Sequence, residues 1–136
     1  MKISFTKTLL AGIAGTAVMT MVTFVAPLMG LPKMSPPEML SSMMGVPVVI
    51  GWLMHFMIGT VFAVVYVVLP HVKTPNLVVK GALFGFAVFV FAQIMMVMMS
   101  MVMGPLPAPE GGMMLMMVGS IIGHIVYGEV VAFIAK

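Results

Sequence analysis

Four long apolar runs constrain this chain more than any other feature of its sequence. They cover residues 8–29, 46–69, 77–103 and 113–135. Each run has about 22 to 27 residues and, at about 1.5 Å per residue, can cross a hydrocarbon core of about 30 Å. A membrane β-barrel would instead need strands of about ten residues with alternating polarity. The sequence therefore predicts an all-α polytopic membrane protein, a four-helix transmembrane bundle that forms one domain over residues 1–136.

The composition indicates that the lipid bilayer is the main partner of the chain. Of 136 residues, 62% are hydrophobic and 7% are charged, whereas soluble domains have about a quarter charged residues. The positive charges are lysines at the ends of apolar runs and form no basic stripe, so nucleic-acid binding is not expected. The chain has no cysteine, which excludes disulfides, thiolate metal sites and cysteine nucleophiles.

The lysines predict the orientation of the chain in its membrane. Five of them fall on one side of the four-span arrangement, and Lys33 falls on the other. The five are Lys2, Lys7, Lys73, Lys80 and Lys136. By the positive-inside rule both termini are cytoplasmic, and in a bacterial inner membrane the first and third connections face the periplasm. The start of the chain also resembles a signal peptide, but its apolar run is long for one, so we expect the first span to be retained.

The two halves of the sequence resemble each other. Ala11-x-x-x-Gly15 opens the first span and Gly81-x-x-x-Gly85 opens the third. The second and fourth spans each carry a histidine with a glycine one turn later. These pairs are His55 with Gly59 and His124 with Gly128. The spacing predicts two repeated helical hairpins in the same orientation, related by an axis along the membrane normal.

The two histidines are the first candidate site. An ionisable side chain at membrane depth is costly and usually faces the bundle interior. Two imidazoles at similar depth on facing helices are typical of bis-histidine haem b, and Gly59 and Gly128 would let the flat macrocycle approach the backbone. Alternatively, His55 and His124 form hydrogen bonds across helix contacts, and the glycines let the helices pack closely.

Methionine is the second anomaly, with 20 residues in the chain. All but the first fall in the periplasmic half of the predicted bundle. Thioethers are soft ligands that favour Cu(I), and Met95, Met99 and Met103 share one helical face. With His55 and His124 they would form a mixed site for Cu(I) binding or transfer.

Two other interpretations of the methionines stay open. Methionine is also adaptable packing material, and a methionine-lined groove suits a small transporter or scaffold that holds a lipid tail or a partner's helix. The partner would be another membrane protein or a second copy, because glycine stripes serve both kinds of helix contact.

No catalytic site is visible in the sequence. It contains no combination of nucleophile, base and orienting group, no phosphate loop and no carboxylate pair, so we expect a protein that is not an enzyme. Glu129 is the one acid within a span. We expect it to form an ion pair with Lys80 or Lys136 near the membrane surface.

Several strings resemble those of a known group. They are residues 43–47 (MMGVP), residues 51–60 (GWLMHFMIGT), Lys80-Gly81-x-x-x-Gly85 and His124-x-x-x-Gly128. Together they resemble a family of small bacterial four-helix inner-membrane proteins of unknown function. The resemblance implies that both histidines lie within helices, and it brings no activity, substrate or cofactor. Glu129 stands where the resemblance implies an apolar residue.

Overall fold

The described part of the chain forms an all-α bundle. The structure is a computed structural model that describes residues 4–69, 76–104 and 111–136. Its helices are α1 (Phe5–Val25), which continues as a 3₁₀ turn (Ala26–Met29), α2 (Pro36–Met44), α3 (Val48–Val68), α4 (Leu77–Met103) and α5 (Met113–Ala135). All except α2 are long and apolar enough to cross a membrane, and no strand occurs in these ranges. The predicted fold class is confirmed, and the chain is a multi-pass membrane protein.

Side chains at the helix starts explain where two of the spans begin. The Ser4 hydroxyl accepts a hydrogen bond from the Lys7 N–H, and the Asn76 side-chain oxygen accepts from Val78 and Val79. Such caps satisfy backbone donors that have no partner inside the helix. The positions at which α1 and α4 begin are therefore determined by residues that are close in the sequence.

Helix α2 was not predicted and lies within the first connection. It begins with Pro36 and Pro37 and ends before Gly45, which has a φ of 64°. Proline at the first positions and a left-handed glycine after the last are ordinary start and stop signals. The helix packs on α3, where Gly51 contacts the Pro37 carbonyl. The connection is therefore a short helix that covers the start of α3.

The four spans pack in a fixed order. Helix α1 packs against α3 and α5, and α5 also packs against α4. Helices α3 and α4 meet through aromatic pairs, with ring centroids 4.9 Å apart for Tyr66 and Phe84 and 5.5 Å apart for Phe62 and Phe91. The buried core lies mainly among α1, α3 and α5 and contains Ala11, Met19, Ala63, Tyr66, Tyr127, Val131, Ala132 and Ala135.

The charged residues distinguish the two ends of the bundle. Lys7 and Lys136 lie together at one end, where the Lys7 ammonium donates to the Lys136 carbonyl at 3.5 Å. This end is called the inner end. The end that carries Lys33 and α2 is called the outer end. Lys2, Lys73 and Glu110, which enter the predicted charge asymmetry, lie outside the described residues.

The predicted ion pair of Glu129 with Lys80 or Lys136 does not form. These three residues are described, and no ion pair joins Glu129 to either lysine. The backbone of Glu129 instead lies against Gly81 of α4. The close approach of the two helices, rather than charge, determines the position of this residue.

Candidate functional site

The histidines occupy equivalent places in two hairpins, α1 with α3 and α4 with α5, whose helices cross in the same way. In the first hairpin Gly12 contacts Thr60 and Thr16 contacts Gly59. In the second, Gly81 contacts Glu129 and Gly85 contacts Gly128. Each residue of the second hairpin stands 69 residues after its counterpart in the first, as His124 does after His55. The repeat is therefore present in the contacts as well as in the sequence.

The predicted register of the first crossing was wrong by one residue. Ala11 and Gly15 were aligned with Gly81 and Gly85, but the residues at the α1–α3 crossing are Gly12 and Thr16. Gly15 faces Tyr127 of α5 instead. Consecutive helical residues point about 100° apart, so a shift of one residue moves a side chain to another neighbour.

Gly59 and Gly128 serve helix packing. The space beside Gly59 is filled by the Thr16 hydroxyl, and the space beside Gly128 is filled by the backbone of Gly81 and Gly85. A Cβ at either position would collide with these atoms. The two glycines therefore have the role given by the packing interpretation, and they leave no room beside them for a macrocycle.

His55 lies in the interior of the bundle, with 9% of its surface exposed. Its Nε2 lies 3.1 Å from the Thr20 hydroxyl oxygen. That hydroxyl donates its single hydrogen to the Thr16 carbonyl at 2.7 Å, so towards His55 it can only accept. His55 Nε2 is therefore the donor, and in the neutral ring Nδ1 has a free lone pair.

His124 is held in the opposite tautomer by its own helix. Its Nδ1 lies 2.7 Å from the Ser120 carbonyl, and because a carbonyl can only accept, Nδ1 carries the hydrogen. The ring packs edge-on against Phe89 of α4, with centroids 5.8 Å apart. In the neutral ring the lone pair is on Nε2.

Each of the two imidazoles is a ligand that is already oriented. Within the described ranges, neither His55 Nδ1 nor His124 Nε2 has a hydrogen-bond partner. Histidines that bind metals usually donate their other N–H to a carbonyl or a similar acceptor, which orients the ring and selects the tautomer. Both rings have that arrangement, so each can accept a cation or a proton at its other nitrogen.

Most of the methionine stripe of α4 lies away from this pair. Met95 and Met103 are exposed near the outer end, and Met99 lies between them. The His124 ring packs against Phe89 of α4, and the three methionines follow Phe89 by about 9, 15 and 21 Å along the helix axis. The stripe therefore runs from the level of the ring towards the outer end, and Met99 and Met103 lie away from the histidine.

Two other methionines were missed as candidates. Met19 and Met34 are buried, with 7% of the surface of each exposed, and they contact Gly123 and Gly119 of α5. The spacing of Gly119 and Gly123 by four residues in the sequence indicates a helix face that a neighbour can approach closely. It does not indicate which side chains pack against that face. Among the described residues, no three His, Asp or Glu side chains gather to hold a metal ion.

Comparisons with known proteins identify a family and no activity. Residues 4–136 match a family described as "Family of unknown function (DUF6789)". No curated protein and no solved structure matches the chain.

Proposed function

The chain belongs to this family of unknown function, and we propose from its own residues that it is a non-enzymatic membrane protein that binds Cu(I) at His55 and His124. One observation carries the proposal. Each imidazole donates its N–H to a fixed acceptor and keeps a lone pair without a partner among the described residues. Imidazole and thioether groups are suitable ligands for copper.

The location of the pair supports a role towards the periplasm. His55 lies about 10 Å along α3 from the outer end, in the half of the bundle where the methionines concentrate. Lys7, Lys80 and Lys136 belong to the inner end, and clustered lysines favour the cytoplasmic side. In a bacterial inner membrane, the copper site would then open to the periplasm and both termini would be cytoplasmic.

Haem b has less support as the occupant. Its macrocycle would need the space beside Gly59 and Gly128, which Thr16 and the backbone of α4 fill. His55 is also turned towards Thr20 of α1 by its hydrogen bond. A metal ion with two or three ligands requires no such space.

The test uses the purified chain in mild detergent. Cu(I) is titrated against a competing chelator, and an absorption spectrum over the Soret range is taken on the same sample. We expect stoichiometric Cu(I) binding without a Soret band. Binding is lost in the double variant His55→Ala/His124→Ala and retained in His71→Ala, which removes the third histidine of the chain.

Two results would overturn the copper proposal. One is a wild-type protein that retains no Cu(I), and the other is a double variant that binds as the wild type does. A Soret band that disappears in the double variant would identify haem b as the occupant instead.

A second function is favoured by the exposed methionines at the outer ends of α4 and α5. Met101 is 82% exposed and Met114 is 79% exposed, and methionine surfaces adapt to varied apolar partners. A photo-crosslinking residue at position 101 or 114 would then capture a lipid or the helix of a partner, whereas the same residue at the buried position 34 would not. Equal labelling at all three positions would contradict this function.

A further inference from the structure

We propose that two copies of this chain associate through α4, where the side-chain amide of Gln93 pairs with Gln93 of the second copy. This inference concerns another surface of the bundle and does not depend on the copper site. Its starting point is the depth of Gln93 in the membrane. Gln93 lies about 24 Å along α4 from Leu77 and about 15 Å from Met103. Its short side chain therefore cannot reach water at either end of the helix.

The amide of Gln93 has no hydrogen-bond partner among the described residues. The side chain is half-buried, and its polar atoms reach the surface of the bundle. Hydroxyls in the spans donate to carbonyls of their own helices, as those of Thr16, Thr20, Thr60 and Ser100 do. A polar group without a partner is costly in hydrocarbon, which offers no hydrogen bonds. Gln93 therefore calls for a partner from outside its own chain.

Gln93 lies on a side of α4 that α3 does not cover. Phe84 marks the side towards α3, because its ring packs against Tyr66. Gln93 follows Phe84 by nine residues, which is about two and a half helical turns, so the two residues lie on opposite sides of α4. Gly85, which touches the backbone of α5, lies about 80° around the helix from Gln93. The side of α4 that carries Gln93 is therefore next to the α5 contact and turned outwards.

Gln93 is the centre of a seam along this side of α4. The seam consists of Phe86, Val90, Gln93, Val97 and Ser100, which are separated by four, three, four and three residues. Phe86, Val90 and Val97 are exposed. This spacing is the one that keeps residues on a single contact line when two helices pack side by side, both in coiled coils and in membrane bundles.

A second copy of the chain fits the seam in depth and in chemistry. All copies have the same orientation in the membrane, so two α4 helices related by a two-fold axis along the membrane normal are parallel. Residues on such an axis face their own counterparts. An amide has both an acceptor oxygen and N–H donors, so each Gln93 can donate to the other. The second copy therefore supplies the missing partner at the required depth.

The first hairpin shows that the fold itself does not require this amide. The counterpart of Gln93, 69 residues earlier, is Phe24 of α1. Phe24 stacks on Trp52 of α3, with ring centroids 6.4 Å apart. The first hairpin thus has an aromatic pair of its own at this place, whereas the second has a polar group that its own chain leaves unpaired.

Cross-linking in native membranes tests the seam with Gln93 intact. The chain has no cysteine, so Val97→Cys and Met98→Cys each introduce a single thiol. The two residues are exposed to a similar extent, 60% and 55%, but they point about 100° apart and only Val97 belongs to the seam. After oxidation with iodine, we expect Val97→Cys to form a disulfide-linked dimer of this chain at least several-fold more than the matched control Met98→Cys.

Replacement of Gln93 tests the amide itself. Gln93→Leu removes the hydrogen bonds and leaves an apolar side chain. In mild detergent, we expect the dissociation constant of the dimer, measured by sedimentation equilibrium, to rise roughly tenfold or more. Met98→Leu, which changes a residue outside the seam, should dissociate as the wild type does.

Three results would overturn this inference. They are equal cross-linking at positions 97 and 98, an unchanged dissociation constant in Gln93→Leu, and a cross-link from position 97 to a different protein. The last result would show that another membrane protein occupies the seam. Because both cysteine variants keep Gln93, the cross-linking decides the question even if Gln93→Leu fails to fold.

Discussion

Two residues at equivalent positions give the paired histidines different chemistry. Thr20 contacts His55, and Phe89, which stands 69 residues later, contacts His124. The Thr20 hydroxyl already donates to another carbonyl, so it can only accept from His55, whose proton must be on Nε2. The Phe89 ring forms no such hydrogen bond, and the tautomer of His124 is determined by the Ser120 carbonyl, which accepts from Nδ1. The two rings therefore present different nitrogens, Nδ1 from one and Nε2 from the other.

Replacement of Thr20 should disturb this arrangement more than replacement of a neighbouring threonine. Thr20→Val leaves the His55 N–H without its acceptor, a loss of about 1–3 kcal/mol for a buried donor. Because the ring loses its fixed orientation, we expect Cu(I) affinity to fall roughly 10- to 100-fold. Thr23→Val is the control, since the buried Thr23 hydroxyl donates only to the Thr20 carbonyl. Equal affinity in both variants, measured by chelator competition, would contradict the role of Thr20.

At the scale of the elements, glycines determine how closely helices approach. A Cβ on Gly85 would collide with the His124 carbonyl of α5, whereas a Cβ on Gly123 would meet Met19 and Thr23 at 3.5 Å, an ordinary contact. Both glycines lie within membrane helices, and only Gly85 touches the backbone of a neighbour. Small residues at such crossings let helices pack closely in lipid.

The two glycines should therefore respond differently to alanine. We expect Gly85→Ala to lower the free energy of unfolding by about 1–3 kcal/mol, because neither backbone can move away without loss of packing. Gly123→Ala should be neutral or slightly stabilising, since alanine favours the helix and the space exists. Detergent-induced unfolding of the two variants checks this. A larger loss for Gly123→Ala would show that the α4–α5 crossing is not as close as described.

At the scale of the whole molecule, the two similar hairpins do not form a symmetric bundle. Gly15 of α1 lets Tyr127 and Val131 of α5 approach, whereas its counterpart in α4 is Phe84, which packs against Tyr66. The Tyr127 hydroxyl also donates to the Gly59 carbonyl and joins the two hairpins. One side of the bundle is therefore closed by side chains of α5 that pack onto a glycine of α1, and the other is held by a pair of aromatic rings from α3 and α4.

The orientation of the bundle can be tested by cysteine labelling of the whole chain, because the sequence has no cysteine of its own. Ser42 lies at the outer end and Ser4 at the inner end, and both are exposed. If the lysine-rich end is cytoplasmic, a membrane-impermeant maleimide should label Ser42→Cys in intact bacterial cells and should label Ser4→Cys only after lysis. The reverse pattern would place the histidine pair near the cytoplasm.

Much of the architecture was predictable because it depends on local properties. Helices 77–103 and 113–135 have the predicted bounds, since apolar runs of this length form helices in lipid wherever they pack. Helix α2 was missed because nine residues rich in proline contain too few turns for a clear periodic pattern. The contrast between Met19 and Met101 was not predictable, because both occur in apolar helical segments and differ only in their neighbours.

The sequence by itself determined that the chain has four helices long and apolar enough to cross a membrane, and that it carries two equivalent histidines in repeated hairpins. These properties follow from length, hydropathy and spacing, which act within one segment. The tertiary structure decided which nitrogen each histidine presents, which methionines are buried and what fills the space beside Gly59 and Gly128. These properties depend on contacts between residues far apart in the chain, and a shift of one residue or one helix face changes every such contact.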